Sequence, residues 1–303
     1  MGKAWMAAAL ALALAGPVAA QAPPADPVVR VEGLKAVSAH VQVIPDNSVP
    51  VVPNVGFVVG TKGVLVIDTG LGPPNGAAVA AVAQRLAAGK QVYLVTTHVH
   101  PEHDLGAQAF PASVKLIRST DQEAEIEATG LGMARMFSQR TPVMAKMLEG
   151  ADFRKADISY SGRYDLDLGG VTAQILALGA NHTRGDTGVW VAADRVLFSG
   201  DVAMKPQPSF ASPSSTVGHW LGALDRLEAL RPTVVVPSHG LVGDVGFITG
   251  YRAYLTEVRR LTAAQKAAGK SQDEAVAAVV AAMGERYPDK GRIAGAARAA
   301  YAE

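Results

Sequence analysis

The sequence predicts an α+β fold in which β-sheets carry helices on their outer faces. Three observations lead there. Short β-branched runs recur along the chain, single helical stretches separate them, and no linker splits the chain cleanly in two. At 303 residues and 49% hydrophobic, the chain can bury a large core in one domain or two small ones.

In chain order, the first segment stands outside that core. Lys3 opens a short basic start, Trp5 to Ala15 is apolar, and Gly16-Pro17 breaks the run. Val18 and Ala20 have the small-residue spacing of a cleavage site, so residues 1–20 read as a secretory signal peptide cut after Ala20 or Ala22. The apolar run is much shorter than the ~20 residues of a spanning helix, which argues against a membrane anchor. The expected location is periplasmic or secreted. Residues 21–35 begin Pro-rich ("QAPPADP") and read as a loose segment.

The expected strands start with "AHVQVI", "VGFVVG" and "GVLVIDTG". The loop between the first two, "VIPDNSVPVVPN", contains three prolines and is a candidate flap over a site. "PNGAAVAAVAQRLAAG" is an Ala-rich helix closed by Gly89. "QVYLVTTH" and "VKLIR" are further strands, and Thr120 with Glu123 has the spacing of a capping box that opens a helix. Residues 131–149 are helical or looped. Their methionines (Met133, Met136, Met144, Met147) suit either an apolar pocket wall or plain packing. Strands follow at "RYDLDLGG", "VTAQILALG", "GVWVAAD" and "VLFSGD", then a helix "HWLGALDRLEALR" and a strand "TVVVPSHG". From about Phe247 the chain is helical, broken at "AGKSQ" and "YPDKG". The expected division is a domain over 36–245 and a helical extension over 246–303 packed on it.

Composition narrows the chemistry. There are no cysteines, so disulfides and thiolate ligands are excluded. Without the leader, which carries only Lys3, basic and acidic residues balance, and nucleic acid has no electrostatic footprint. Five of the seven histidines (His98, His100, His103, His182 and His239) fall at the ends of expected strands. Such ends aim side chains into a shared cleft. His98 and His100 are two apart, so an extended backbone would face them the same way. With Glu102 and His103 they place three imidazoles and a carboxylate in six positions, a donor set that suits zinc and similar divalent ions. A solvated loop or hydrogen-bonded core histidines would explain lone residues such as His40 and His219, but not this cluster. Asp68 ("VLVIDTG") and Asp201 ("LFSGD") also end apolar runs, where an uncompensated charge is costly.

These residues, in this order, resemble the metallo-β-lactamase superfamily. Its pattern HxHxDH, then a lone His, a bridging Asp and a final His, preceded by an Asp after an early strand, is matched by "HVHPEH", His182, Asp201, His239 and Asp68. The resemblance covers roughly residues 36 to 240. It implies a four-layer αββα sandwich and two zinc ions, with iron as the alternative metal. His98, His100 and His182 would hold the first ion, and Glu102, His103 and His239 the second. Asp201 would bridge them, and Asp68 would orient a ligand or its loop. The chain departs from the pattern at Glu102, where the family has Asp. Glutamate is longer by one methylene, so it would act as a ligand to the second ion or, held loosely, as a proton acceptor. Asp104 is the nearest other carboxylate, but its place after His103 does not match the motif.

The resemblance implies an exported hydrolase in which a metal-held hydroxide attacks an amide, ester or lactone carbonyl, with Glu102 and Asp201 in the catalytic set. β-Lactams are the most specific substrate expectation. Against it, zinc β-lactamases proper usually carry Cys or Ser where Asp201 stands, and there the chain is more similar to thioester hydrolases and lactonases. The other readings are a thioester or lactone hydrolase without β-lactamase activity, a mononuclear iron oxidoreductase acting on a sulfur compound, and a non-catalytic metal-binding protein. Lys205, four residues after Asp201, is the candidate to receive a substrate carboxylate, with an ordinary surface lysine as the competing reading. The expected partner is a small molecule, with no nucleic acid and no stable membrane anchor. The sequence does not decide the oligomeric state.

Overall fold

The structure is a computed structural model that describes residues 25–303. The expected leader, both cleavage positions and the first residues of the 21–35 segment lie outside the described residues. A short 3-10 turn (Val31–Gly33) precedes β1 (Lys35–Ala36), β2 (Val41–Ile44), β3 (Val55–Val59) and β4 (Gly63–Ile67). Then come α1 (Gly72–Ala87), β5 (Gln91–Val95), α2 (Pro101–Asp104), a second 3-10 turn (Leu105–Ala109) and β6 (Lys115–Ser119). Next are α3 (Thr120–Glu125), a π-helical stretch (Ile126–Gly130), α4 (Leu131–Ser138) and α5 (Pro142–Met147). β7 (Ile158–Tyr160), β8 (Arg163–Asp167), β9 (Thr172–Gly179), β10 (Asp186–Val191) and β11 (Val196–Gly200) follow. The chain closes with α6 (Val217–Ala229), β12 (Val234–Pro237), α7 (Gly246–Ala267), α8 (Gln272–Met283) and α9 (Lys290–Ala302).

The strands form a seven-stranded sheet in the order β1 to β7 and a five-stranded sheet in the order β12-β11-β10-β9-β8. Period-two alternation sorts their side chains into layers. On β4, Leu65 and Ile67 face the second sheet, while Val64 and Val66 face α1. On β11, Val196 and Phe198 face the first sheet, and Leu197 turns outward to α6 and the C-terminal helices. The result is the four-layer αββα sandwich. β4 is buried on both faces, which explains its unbroken apolar run. Each of its large side chains contributes roughly 1.5–3 kcal/mol by leaving water.

α7, α8 and α9 pack with α6 on the outer face of the second sheet, around Trp220, Tyr251, Tyr254, Leu255 and Ile293. The rings of Trp220 and Tyr251 meet edge-on, 5.1 Å apart. Among the described residues no helix is long and apolar enough to cross a membrane.

Two expectations need correction. The segment expected to be loose is docked from Pro27 onward. Val29 N–H donates to Asn75 Oδ1 (2.9 Å), Asn75 Nδ2 donates to the Pro27 carbonyl (2.8 Å), and both Pro27 and Val29 are buried. The cap of α3 is Ser119, whose hydroxyl accepts from Gln122 N–H, rather than Thr120. α1 ends at Ala87, and Ala88 (φ 48°) and Gly89 (φ 89°) both take the left-handed conformation, so Gly89 closes the helix as expected. β1 and β7 were not anticipated, since two or three edge residues are too few to show a period.

Two contacts fix the segment that carries Glu102 and His103. A Cβ at Gly76 of α1 would lie 1.9 Å from the Gly106 carbonyl, so only glycine lets α1 approach that turn. Below it, Arg118 of β6 is 1% exposed and forks onto Asp104, with Nη2 to Oδ1 at 2.6 Å and Nε to Oδ2 at 2.9 Å. Arg118→Met would leave Asp104 buried without its partner. Urea unfolding of the metal-free protein is expected to show a loss of about 3–5 kcal/mol.

Candidate metal centre

The strands that deliver the candidate residues all point the same way. β4 and β5 are parallel in the first sheet, and β9, β11 and β12 share a direction in the second. Their C-terminal ends meet at one edge of the sandwich. There the structure brings together His98, His100, Glu102, His103, His182, Asp201 and His239 in groups whose donor atoms lie within 4.8 Å of one another.

One group is His98, His100 and His182. His100 Nδ1 lies 3.1 Å from His98 Nε2 and 3.3 Å from His182 Nε2. Three nitrogens bound tetrahedrally at ~2.05 Å stand ~3.3 Å apart, so this spacing fits a shared ion. The rings meet at 67° to 86°, aiming their edges at one point instead of stacking. The second group is Glu102, His103 and His239. Asp201 stands between them: its Oδ2 is 3.4 Å from His182 Nε2, and it also groups with His98 and His103. Three buried atoms here, Glu102 Oε2, His103 Nε2 and Asp201 Oδ1, have no hydrogen-bond partner. Lone pairs buried face to face repel, and a cation is what reconciles them.

The far side of three of the imidazoles is tied down. The Nδ1 position faces Asp68 Oδ2 in His103 (2.8 Å), the Ser209 carbonyl in His182 (2.6 Å) and the Val52 carbonyl in His239 (2.9 Å). Donating there leaves each Nε2 lone pair turned inward, as a ligand requires. Asp68 sits at φ 65° just past β4 and also accepts from Thr97 N–H (2.7 Å) and Thr97 Oγ1 (2.9 Å). Residues 97–100 form a bent loop, so His98 and His100 converge through that bend and not through strand alternation.

Burial and crowding set the protonation states. Burial, then the neighbouring imidazoles, holds His98 and His100 well below the usual histidine range, so both are neutral. Burial also lowers His182, against the pull of Asp201. Burial pushes Glu102 up, opposed by His103 and His239. For Asp201 burial is outweighed by His182, His239 and His103, which hold it at about 2. Burial would lower His103, but Asp68, Glu102 and Asp201 raise it to about 9, so without an ion its Nε2 carries a proton that a bound cation would have to displace.

Other sequence candidates lie elsewhere. Asp104 is consumed by Arg118 and by Thr96 Oγ1 (2.6 Å) and is not a ligand. Lys205 is exposed and absent from the wall of the cleft over the donors, so its expected role in binding a substrate carboxylate is not supported. The guanidinium groups lining that cleft are those of Arg140 and Arg292. Met133, Met136, Met144 and Met147 do not line it either. Met144 is buried beneath Phe137, which does. The proline-rich loop does wall the cleft, through Asp46, Val49, Pro50 and Val51. His40 pairs with Asp194 (2.7 Å) and His219 meets the Leu178 carbonyl, both away from the site. Sequence reasoning missed Glu125 and Asp186. Asp186 accepts from His182 N–H (2.6 Å) and Thr183 N–H, and Glu125 from Arg184 and Gly185 N–H, so two carboxylates pin the His182 loop. Asp186 lies only four residues after His182, in the run "HTRGDTG", whereas Glu125, about 60 residues upstream, carries no signal.

The family model described as the metallo-β-lactamase superfamily matches residues 49–239, more than half of the chain and every one of these donors. The protein is a member of the metallo-β-lactamase superfamily. Among solved structures it is similar to a metallo-β-lactamase from Pontibacter korlensis (TM-score 0.59, 18% identity, covering 74% of this chain and 98% of that one). It is also similar to the inverting sec-alkylsulfatase Pisa1 from Pseudomonas sp. (TM-score 0.69, 17% identity, covering 89% of this chain and 49% of that one). A third is the metallo-β-lactamase DIM-1 (TM-score 0.55, 14% identity, covering 73% and 94%). The chain spans about half the length of the alkylsulfatase. No curated protein matches the sequence. At these identities the structural likeness shows the fold.

If Asp68 orients His103, Asp68→Asn should lower divalent-metal affinity by about 10–100-fold while the fold persists. Competition against a chromogenic chelator measures this.

Proposed function

We propose that the protein is an exported zinc-dependent hydrolase of an amide, ester or lactone bond, with β-lactams as the first substrates to test. The observation that carries this reading is the set of unpartnered buried donors, Glu102 Oε2, His103 Nε2 and Asp201 Oδ1, beside a cleft of about 530 Å³. A pure binding site needs no such opening, whereas catalysis does.

In this reading His98, His100 and His182 hold one zinc, Glu102, His103 and His239 a second, and Asp201 serves both. The metals supply Lewis acidity and acidify a water for attack on the substrate. The chain's own residues do the rest. Asp68, Ser209 and Val52 fix the imidazoles of His103, His182 and His239, so these donors need little rearrangement on loading. Glu102 reaches the second group from the first turn of α2. The apolar wall of Val49, Val51, Phe137 and Met204 excludes water around the substrate. A second reading, sulfate-ester hydrolysis, is favoured by the alkylsulfatase, which covers more of this chain than either β-lactamase.

Metal content by mass spectrometry, paired with hydrolysis of nitrocefin, an aryl lactone and an aryl sulfate with and without chelator, tests the class. Two zinc ions per chain and chelator-sensitive cleavage are expected. One iron per chain with oxygen uptake would overturn it. In the same assay Glu102→Gln is expected to lose one ion. Unchanged metal with turnover down about 10²–10⁴-fold would instead assign Glu102 to proton transfer. Export predicts a mature N-terminus at Gln21 or Pro23 by protein sequencing, and a retained Met1 would sink it.

A further inference from the structure

The cleft over the metal donors is lined by two guanidinium groups that the hydrolase chemistry does not use. Arg140 follows α4, and its guanidinium carbon lies 3.6 Å from the centroid of the Phe137 ring. That ring in turn lies 5.7 Å from the ring of His100. The cation is therefore held on an aromatic face one side chain away from the donor nitrogens. Among the described residues no carboxylate pairs with Arg140. Arg292 reaches the same cleft from α9. Its Nη1 donates to the Gln207 carbonyl and its Nε lies 3.1 Å from Asp289 Oδ2, which fixes the plane of the fork. Its side chain keeps 28% exposure.

Arg292 is already paired with Asp289 outside the cleft, and within the cleft no carboxylate is free to pair with either arginine. Asp46 is turned to the backbone, accepting from Gly240 N–H (2.7 Å) and Ser48 N–H (3.1 Å). Glu102 and Asp201 belong to the metal donors. Val49, Pro50, Val51, Phe137 and Met204 give the wall its apolar part, beside Ser48 and Ser209. One fork laid on an aromatic face and one anchored by a carbonyl and a carboxylate, beside apolar side chains, form a receptor for an oxyanion attached to a hydrophobic body, because guanidinium matches carboxylate and sulfate geometry bidentately.

We propose that Arg140 and Arg292 form an anion subsite at the mouth of the metal cleft, which selects substrates with a carboxylate or sulfate group on an apolar body. This rests on the hydrolase reading for the word substrate, but not for the binding itself. It also gives the C-terminal helices a role in specificity. Arg292 lies outside the family-matched residues 49–239 and reaches the site only because α9 folds back along the second sheet.

The test is calorimetric titration of the zinc-loaded protein with octanoate, 1-octanesulfonate and 1-octanol. The wild type is expected to bind the preferred anion about tenfold or more tighter than the alcohol, as charge-assisted hydrogen bonds at a part-exposed site support. Arg140→Gln and Arg292→Gln should each reduce the anion-to-alcohol affinity ratio by about fivefold to tenfold at unchanged zinc content. Lys205→Gln, outside the cleft, should leave the ratio as it was. Whichever of carboxylate and sulfonate binds tighter identifies the natural group. An anion preference that survives both arginine substitutions, as direct ligation to zinc would produce, overturns the proposal, as does equal binding of anion and alcohol. If Arg292→Gln fails to fold, Arg140→Gln decides alone, since Arg140 is exposed. Arginine-dependent anion binding without cleavage of any ester or amide would refute the hydrolase reading and keep the subsite. Cleavage with arginine-independent binding would do the reverse.

Discussion

Asp68 is the side chain on which the centre depends. It is 1% exposed and accepts from the Thr97 amide, the Thr97 hydroxyl and His103 Nδ1. These donors lie on the loop after β5 and on α2, while Asp68 itself ends β4. One carboxylate thus ties a strand end, a neighbouring loop and a helix into a single unit. A buried carboxylate without such donors would be costly, so the hydrogen bonds and the geometry of the site require each other. The positive φ of Asp68 belongs to the same arrangement, since it turns the carboxylate away from the strand and toward its three donors.

The second sheet supplies the opposing half. Its contribution is made rigid by Asp186 and Glu125, which hold the amides of residues 182–185. Asn54 does the same near His239. Its side chain donates to the Pro237 and Gly240 carbonyls and accepts from Asp46 N–H. The two halves meet because the inter-sheet core, from Val41 and Ile67 to Val189 and Phe198, sets the distance between strand ends. Close packing transmits that distance to the donors. The cleft then takes its walls from pieces far apart in sequence: the proline-rich loop, the turn after α4, and α9.

Much of this was legible in the sequence. The strand runs, Ala-rich α1 and the three C-terminal helices were readable from period and composition, because burial on one or both faces leaves a regular imprint. The donor set was readable because polar residues at the ends of apolar runs have few structural explanations. Errors fell where local signals compete within a residue or two, as with Ser119 against Thr120, or where the deciding contact is remote. The docking of Val29 depends on Asn75, and no local pattern near residue 29 announces it.

The sequence by itself determined the family, the layered fold and the candidate metal donors, because each is written in residue types at fixed spacing. Tertiary structure alone decided which groups share the cleft. Lys205, four residues after Asp201 in sequence, is exposed and does not line it. Arg292, nearly two hundred residues from His100, faces it. Chain direction after a strand end is set by packing against distant elements, and that information is not local.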